Sequence, residues 1–216
     1  MIRAITIERE FGCGASEVAS LVAGRLGWRL WDRELTQEIA RLTKCTPQAV
    51  EKREWRTDAR AYQILEDFLR GAFEGGLPPI NRLQLLDARR IAAVSEIAVQ
   101  TAFSSGPSVI VGRGSQYFLR NHNDVFRVFL YASRDCKIRR LITAGMPQDQ
   151  AIKLVDTTDK SRATFVARNL GLKWPERHLY HAMFNTDMGE SRAAAMLLQC
   201  VRQLEGESEM ALGSAR

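Results

Sequence analysis

The stretch Ile2-Arg3-Ala4-Ile5-Thr6-Ile7-Glu8-Arg9-Glu10-Phe11-Gly12-Cys13-Gly14-Ala15-Ser16 runs from an apolar strand pattern through a glycine turn into a helix start. That is the layout of a phosphate-binding loop. Set against G-x-x-x-x-G-K-[ST], the last glycine is Gly14 and the hydroxyl position is Ser16; the lysine position holds Ala15 and the first glycine position holds Arg9. The cradle is written into the sequence without its usual cation.

A phosphate site does not need the lysine to begin with. Gly12 and Gly14 accept positive φ and let the N–H groups around Cys13 and Ala15 crowd an anion, while the helix starting near Ala15 turns its positive end to the same space. Ser16 has two readings, a contact to phosphate or Mg²⁺ and an N-cap of that helix. Arg9 also has two: it supplies the missing charge from the other limb of the turn, or it pairs with Glu10 at the surface of a strand end. Losing a loop lysine lowers transition-state stabilisation more than ground-state binding.

The chain has 216 residues, 45% hydrophobic and 26% charged, enough for one sizeable core in a single domain with insertions. Its 31 Lys+Arg against 25 Asp+Glu give +6, which suits an anionic ligand. The basic residues stand singly or in pairs among apolar ones, so nucleotide fits better than polynucleotide, and no nucleic acid is expected. Cys13, Cys45, Cys136 and Cys200 show neither zinc-ligand spacing nor a disulfide framework, which points to a reducing cytoplasm. Cys13 reads either as an oxidation-sensitive thiol at a helix N-terminus or as a plain small turn residue. The first apolar segment is too short for a signal peptide, and no segment is apolar enough to span a membrane.

Periodicity predicts a strand over 3–8, a helix over 15–26 closed by Gly27, and a short strand over 28–31 reaching Asp32. From 34 to 103 the pattern is helical, broken at Thr46-Pro47 and at 75–79, with apolar spacing in Tyr62, Leu65, Phe68 and Leu69 and again in Ile91, Val94 and Ile97. Buried strands are expected over 108–111 and 125–131, a last strand over 180–184, and a terminal helix over 190–205 followed by a frayed tail. Alternation of this kind means an α/β fold, a parallel sheet with helices on both faces. Ligands then bind at the carboxyl ends of the strands. That rim holds the loop after Ile7, Asp32, Gly112-Arg113-Gly114 and Asn185-Thr186-Asp187.

These landmarks, together with Trp31-Asp32-Arg33-Glu34-Leu35, Asp159-Lys160-Ser161-Arg162, Lys173-Trp174 and Phe184-Asn185-Thr186, make the chain resemble the cytidylate kinase-like family, P-loop proteins related to the nucleoside monophosphate kinases. The family's own loop variant commonly lacks lysine. The resemblance implies a three-layer P-loop domain over 1–207, with a helical monophosphate-binding insertion over 35–105, a lid-like segment over 145–176 and a tail over 208–216. It places Asp32 and Arg113 at the acceptor, where Asp32 also reads as a helix N-cap and Arg113 offers a planar fork to phosphate. The related kinases have aspartate where this chain has Gly114.

Lys160 and Arg162 match the basic residues that close over the transferring group, although on one helix they would not share a face and a solvated surface explains them equally well. Arg139 or its neighbour Arg140 stands where an arginine stacks on the donor base. Gly12, Cys13, Gly14, Ala15 and Ser16 would hold ATP, with Ser16 on Mg²⁺. His178 and His181 lack a partner at useful spacing and read as core or surface residues. Trp55 and Phe73, with Tyr62 and Phe68, give the helical block more aromatic surface than covering one nucleotide needs, so it also predicts pairing of two copies as a homodimer.

The expected activity is ATP-dependent phosphoryl transfer to a nucleoside monophosphate, cytidylate-like, with Arg9, Arg113, Lys160 and Arg162 as the catalytic cations and ATP and Mg²⁺ as cofactors. Two alternatives stay open: a nucleotide-binding regulatory or scaffold protein without transfer, and a kinase of a non-nucleotide small molecule.

Overall fold

The computed structural model describes residues 1–43 and 88–213. The expectations for Cys45, Trp55, Tyr62, Leu65, Phe68, Leu69 and Phe73, for the breaks at 46–47 and 75–79, and for most of the dimerising block lie outside the described residues.

Five strands form one sheet: β1 (Ala4–Arg9), β2 (Arg29–Trp31), β3 (Ser108–Val111), β4 (Val125–Tyr131) and β5 (Ala182–Asn185). Their order is β2-β3-β1-β4-β5 and every pairing is parallel. β1 lies at the centre, with Ile5 opposite Val109 on one side and Phe126 on the other. It is buried on both faces, which explains a near-continuous apolar run where an edge strand would alternate.

Helices α1 (Ala15–Leu26), α2 (Arg33–Thr43), α3 (Ala88–Ser104), the single turn α4 (Ser115–Phe118), α5 (Arg134–Thr143), α6 (Gln148–Leu170) and α7 (Glu190–Gly213) cover the sheet. On one face, Ile5, Ile7, Val109 and Val128 pack against Val18 and Val22 of α1 and Ala194, Leu197 and Val201 of α7. On the other, Ala4, Ile110 and Val125 meet Leu35 and Ile39 of α2 and Ala98, Val99 and Ala102 of α3. Alternate residues of β1 thus feed opposite cores, as the period of two requires. Among the described residues no helix is long and apolar enough to cross a membrane.

Two expectations shift. Ile97 is 55% exposed, because a spacing of three runs ahead of the 3.6-residue turn and α3 buries Ser95, Ala98, Val99 and Ala102 instead. The terminal helix continues past Glu205 to Gly213, since Gly206 is followed by Glu207, Glu209, Met210, Ala211 and Leu212, most of them good helix formers.

Leu197 is fully buried in the α1–α7 layer. Leu197→Ala is expected to lower stability by about 2–5 kcal/mol, seen as a lower urea midpoint with an unchanged denaturant slope.

Candidate phosphate-binding site

β1 ends at Arg9, and the chain turns through Glu10–Gly14 into α1 at the carboxyl edge of the sheet. Gly12 (φ 74°) and Gly14 (φ 79°) take the left-handed conformation, and Gly14 caps α1 with no side-chain bond. No backbone carbonyl among the described residues accepts from the N–H groups of Gly12, Gly14 or Ser16. They stand at the positive end of a twelve-residue helix, the physical make-up of an anion cradle.

Ser16 is therefore not the N-cap of α1. Its Oγ donates to Asp32 Oδ2 at 2.9 Å, joining the helix to the end of β2. A hydroxyl and a carboxylate side by side are hard oxygen donors that fit Mg²⁺. Among the described residues no three His, Cys, Asp or Glu cluster as metal ligands, so a cation here would complete its shell with phosphate and water.

The loop is fastened from three sides. Thr186, fully buried just after β5, donates from Oγ1 to the Cys13 carbonyl at 2.6 Å. Arg140 of α5 donates to the same carbonyl at 3.2 Å and to the Thr186 carbonyl at 2.7 Å, and pairs with Glu190 at the start of α7. That carboxylate fills the space beside Gly14, where an added Cβ would lie 2.6 Å from Glu190 Oε1.

From α5 also comes Lys137, buried, with Nζ 2.6 Å from Glu10 Oε2 and 3.2 Å from Asp159 Oδ2. From α6, Asp159 accepts the Phe11 N–H at 2.8 Å, and Arg162 donates to the Arg9 carbonyl and to Asp159 at 3.3 Å. The Arg162 guanidinium lies 5.3 Å over the Trp174 ring. Phe11 packs beneath, against Met146, Ala151 and Leu154. Burial raises the Asp159 carboxyl above the usual carboxylate range, against the pull of Arg162, the Phe11 N–H and Lys137. Burial also pulls Lys137 down, but Glu10 and Asp159 outweigh it and hold the ammonium above its ordinary value. Burial lowers Arg162.

The surface pair of Arg9 with Glu10 does not form. Glu10 is taken by Lys137, while Arg9 lies 3.9 Å from Glu8 on its other side and packs so closely on Gly112 that a Cβ there would collide with it. Glu8 is buried and accepts from the Arg9 N–H at 2.9 Å and from Gln116 at 3.2 Å.

Just after β3, Gly112, Arg113 and Gly114 have φ of 70°, 58° and 73°. Arg113 is the one non-glycine residue at positive φ among those described, a conformation that costs about 1–3 kcal/mol and persists where the surroundings enforce it. Its Nη2 donates to Thr36 Oγ1 at 2.7 Å, across to α2. Thus Arg9, Arg113, Asp32, Ser16 and the loop glycines share one rim, and Arg162 reaches it from α6.

Lys160 and Arg139 do not join them. Both are exposed, Lys160 acting only at longer range on Asp156, and of the arginine pair on α5 it is Arg140 that turns inward. Asn185 and Asp187 serve the turn: Asn185 accepts from the Asp187 N–H, and Asp187 from the Ser133 N–H, each at 2.9 Å. His181 accepts from the Arg127 N–H at 3.2 Å and stacks on Phe126, and burial lowers it. Sequence reasoning missed Lys137, Asp159 and Glu10 as a group, because their proximity depends on how α5 and α6 dock. The available signal was Asp159 standing three residues before Arg162.

Cys13 is a structural turn residue. It is 1% exposed, its Sγ lies 3.6 Å from the Leu130 carbonyl, and burial pushes its thiol up to about 11. At pH 8, three units lower, about one molecule in a thousand carries the thiolate. Iodoacetamide at pH 8 is therefore expected to spare Cys13 in the folded chain and modify it after unfolding in urea, as read by peptide mass mapping. Rapid native modification would show that the loop does not hold this packed form.

No curated protein matches the chain. Among solved structures, an uncharacterized protein from Eubacterium ventriosum is 20% identical, with 94% of this chain and 99% of that one covered at a TM-score of 0.63. A shikimate kinase from Bacteroides thetaiotaomicron is 15% identical, with 94% and 99% covered and a TM-score of 0.51. A gluconokinase from Sinorhizobium meliloti is 15% identical, with 95% and 97% covered and a TM-score of 0.50. At these identities the likeness is one of fold. The model of the cytidylate kinase-like family matches residues 4–188, which supports nucleotide-dependent phosphoryl transfer in general, and the chain belongs to that family.

Proposed function

We propose that this protein transfers the γ-phosphoryl group of ATP to a nucleoside monophosphate, cytidylate-like, with Mg²⁺. The observation that carries the reading is one rim that brings together two sets of donors suited to anions. A glycine cradle, whose N–H groups meet no backbone carbonyl among the described residues, and the Ser16–Asp32 pair stand on the donor side. An arginine held at positive φ between two glycines stands on the acceptor side.

In the reaction an oxygen of the acceptor phosphate forms a bond to Pγ as the bond from Pγ to the β–γ bridging oxygen breaks, and ADP leaves with that electron pair. No protein nucleophile is required. Bound Mg²⁺ would neutralise charge on the donor phosphates. The N–H groups of Gly12, Gly14 and Ser16 hold the donor in place, and Arg113, braced by Thr36, orients the acceptor phosphate. Arg9 lies between the two sites against Gly112, where its guanidinium meets charge developing on the transferring group. Fixed donors of this kind act without reorganising. The altered loop keeps one competitor in view: Ala15 would also suit a protein that binds nucleotide and does not turn it over.

The test is transfer from labelled ATP-Mg²⁺ to a panel of nucleoside monophosphates. Transfer to CMP or dCMP is expected. Arg113→Ala should lower kcat/KM at least about a hundredfold, and Arg9→Ala should lower kcat by a similar factor with little change in ATP affinity. ATP binding without transfer to any monophosphate would overturn the acceptor assignment and leave the binding reading.

A further inference from the structure

Three donors converge on the Asp159 carboxylate: the Phe11 N–H at 2.8 Å, the Lys137 ammonium at 3.2 Å and the Arg162 guanidinium at 3.3 Å. A backbone N–H, an ammonium and a guanidinium around two oxygens are the donor set of a phosphate site. Lys137 reaches the turn from outside, over Gly12, where an added Cβ would lie 3.3 Å from Lys137 Cβ. It brings a cation to a loop whose own lysine position is Ala15.

The charges around the turn cancel. Glu8, Glu10 and Asp159 stand against Arg9, Lys137 and Arg162 in a largely buried cluster. A phosphate added to this set would leave it strongly negative in a medium that screens poorly. One carboxylate has to give way. Glu8 and Glu10 belong to β1 and the turn itself, whereas Asp159 belongs to α6 and reaches the turn only through its side chain. The position also selects which phosphate is served. Phe11 lies on the limb leading back to β1 and follows Arg9, which packs on Gly112, while Gly14 caps α1 and Ser16 lies in its first turn.

We infer that Phe11 N–H, Lys137 and Arg162 form a binding site for the terminal phosphate of the donor, and that Asp159 is a resident carboxylate holding this site until a phosphate displaces it. The identity of the ligand as a nucleoside triphosphate rests on the function proposed above; the anion site rests on the cluster. Lys137 and Arg162 then exchange one anion for another without entering a desolvated state unpaired. Lys137 does from α5 what the loop's own lysine position cannot.

Calorimetric titration of the full chain with ATP-Mg²⁺, ADP-Mg²⁺ and inorganic tripolyphosphate-Mg²⁺ tests this, with melting curves confirming that each variant folds. Lys137→Met is expected to weaken ATP and tripolyphosphate tenfold or more and ADP less than threefold, and Lys137→Arg to stay near the unmodified chain. Asp159→Asn, which keeps an acceptor for the Phe11 N–H and removes the competing charge, should tighten ATP and tripolyphosphate about tenfold. Weaker binding in Asp159→Asn, or a folded Lys137→Met that binds all three ligands unchanged, overturns the inference and leaves the nucleotide reading standing. Tripolyphosphate binding with the expected pattern but no ATP binding keeps the anion site and overturns the nucleotide reading. Binding of none of the three overturns both.

Discussion

The hydrogen bond from the Phe11 N–H to Asp159 joins the turn after the central strand to a helix nearly 150 residues further along the chain. Much of the rim depends on that junction. With it, Arg162 caps the Arg9 carbonyl, Lys137 bridges Glu10 and Asp159, and Arg9 is left to pair with Glu8 and pack on Gly112. Arg140 and Thr186 fix the opposite limb through the Cys13 carbonyl. The turn is thus held by its flanks, while the N–H groups of Gly12, Gly14 and Ser16 donate to no backbone carbonyl among the described residues.

This division explains why so many charged groups are buried around one short turn. Isolated, each would carry a heavy desolvation penalty; paired, they fix geometry more than they add stability. Removing a single partner leaves an uncompensated charge, so the cluster responds as a unit and single substitutions within it will not add. A neutral cluster that must exchange a carboxylate for a phosphate is also a selective one, since an uncharged ligand gives Lys137 and Arg162 nothing in return.

The fold was legible because it follows from local patterns. Ile5-Thr6-Ile7, Val109-Ile110-Val111 and the run from Val125 are apolar enough to be buried strands, and Gly27 stops α1 where a left-handed cap belongs. The motifs at Gly12–Ser16, Asp32 and 112–114 were legible for the same reason, each following a strand end. What was not legible were choices between neighbours. Arg139 and Arg140 differ by one helical step of 100°, and only the docking of α5 decides that Arg140 turns inward. Lys160 and Arg162 separate in the same way on α6. Arg9 has a glutamate on each side, and a period of two sends both the same way; Lys137 of α5 takes Glu10, which leaves Glu8 as the partner of Arg9. Lys137 carries no motif of its own.

The most direct measurement is a crystal structure with Mg²⁺ and a non-hydrolysable ATP analogue. The arrangement requires the phosphates to lie on the N–H groups of Gly12–Ser16, the Mg²⁺ to contact Ser16 and Asp32 directly or through water, and the base to lie away from the Arg113 rim. An analogue seated elsewhere, with the glycine turn empty and Ser16 still bonded only to Asp32, would contradict the assignment of this loop as the donor site.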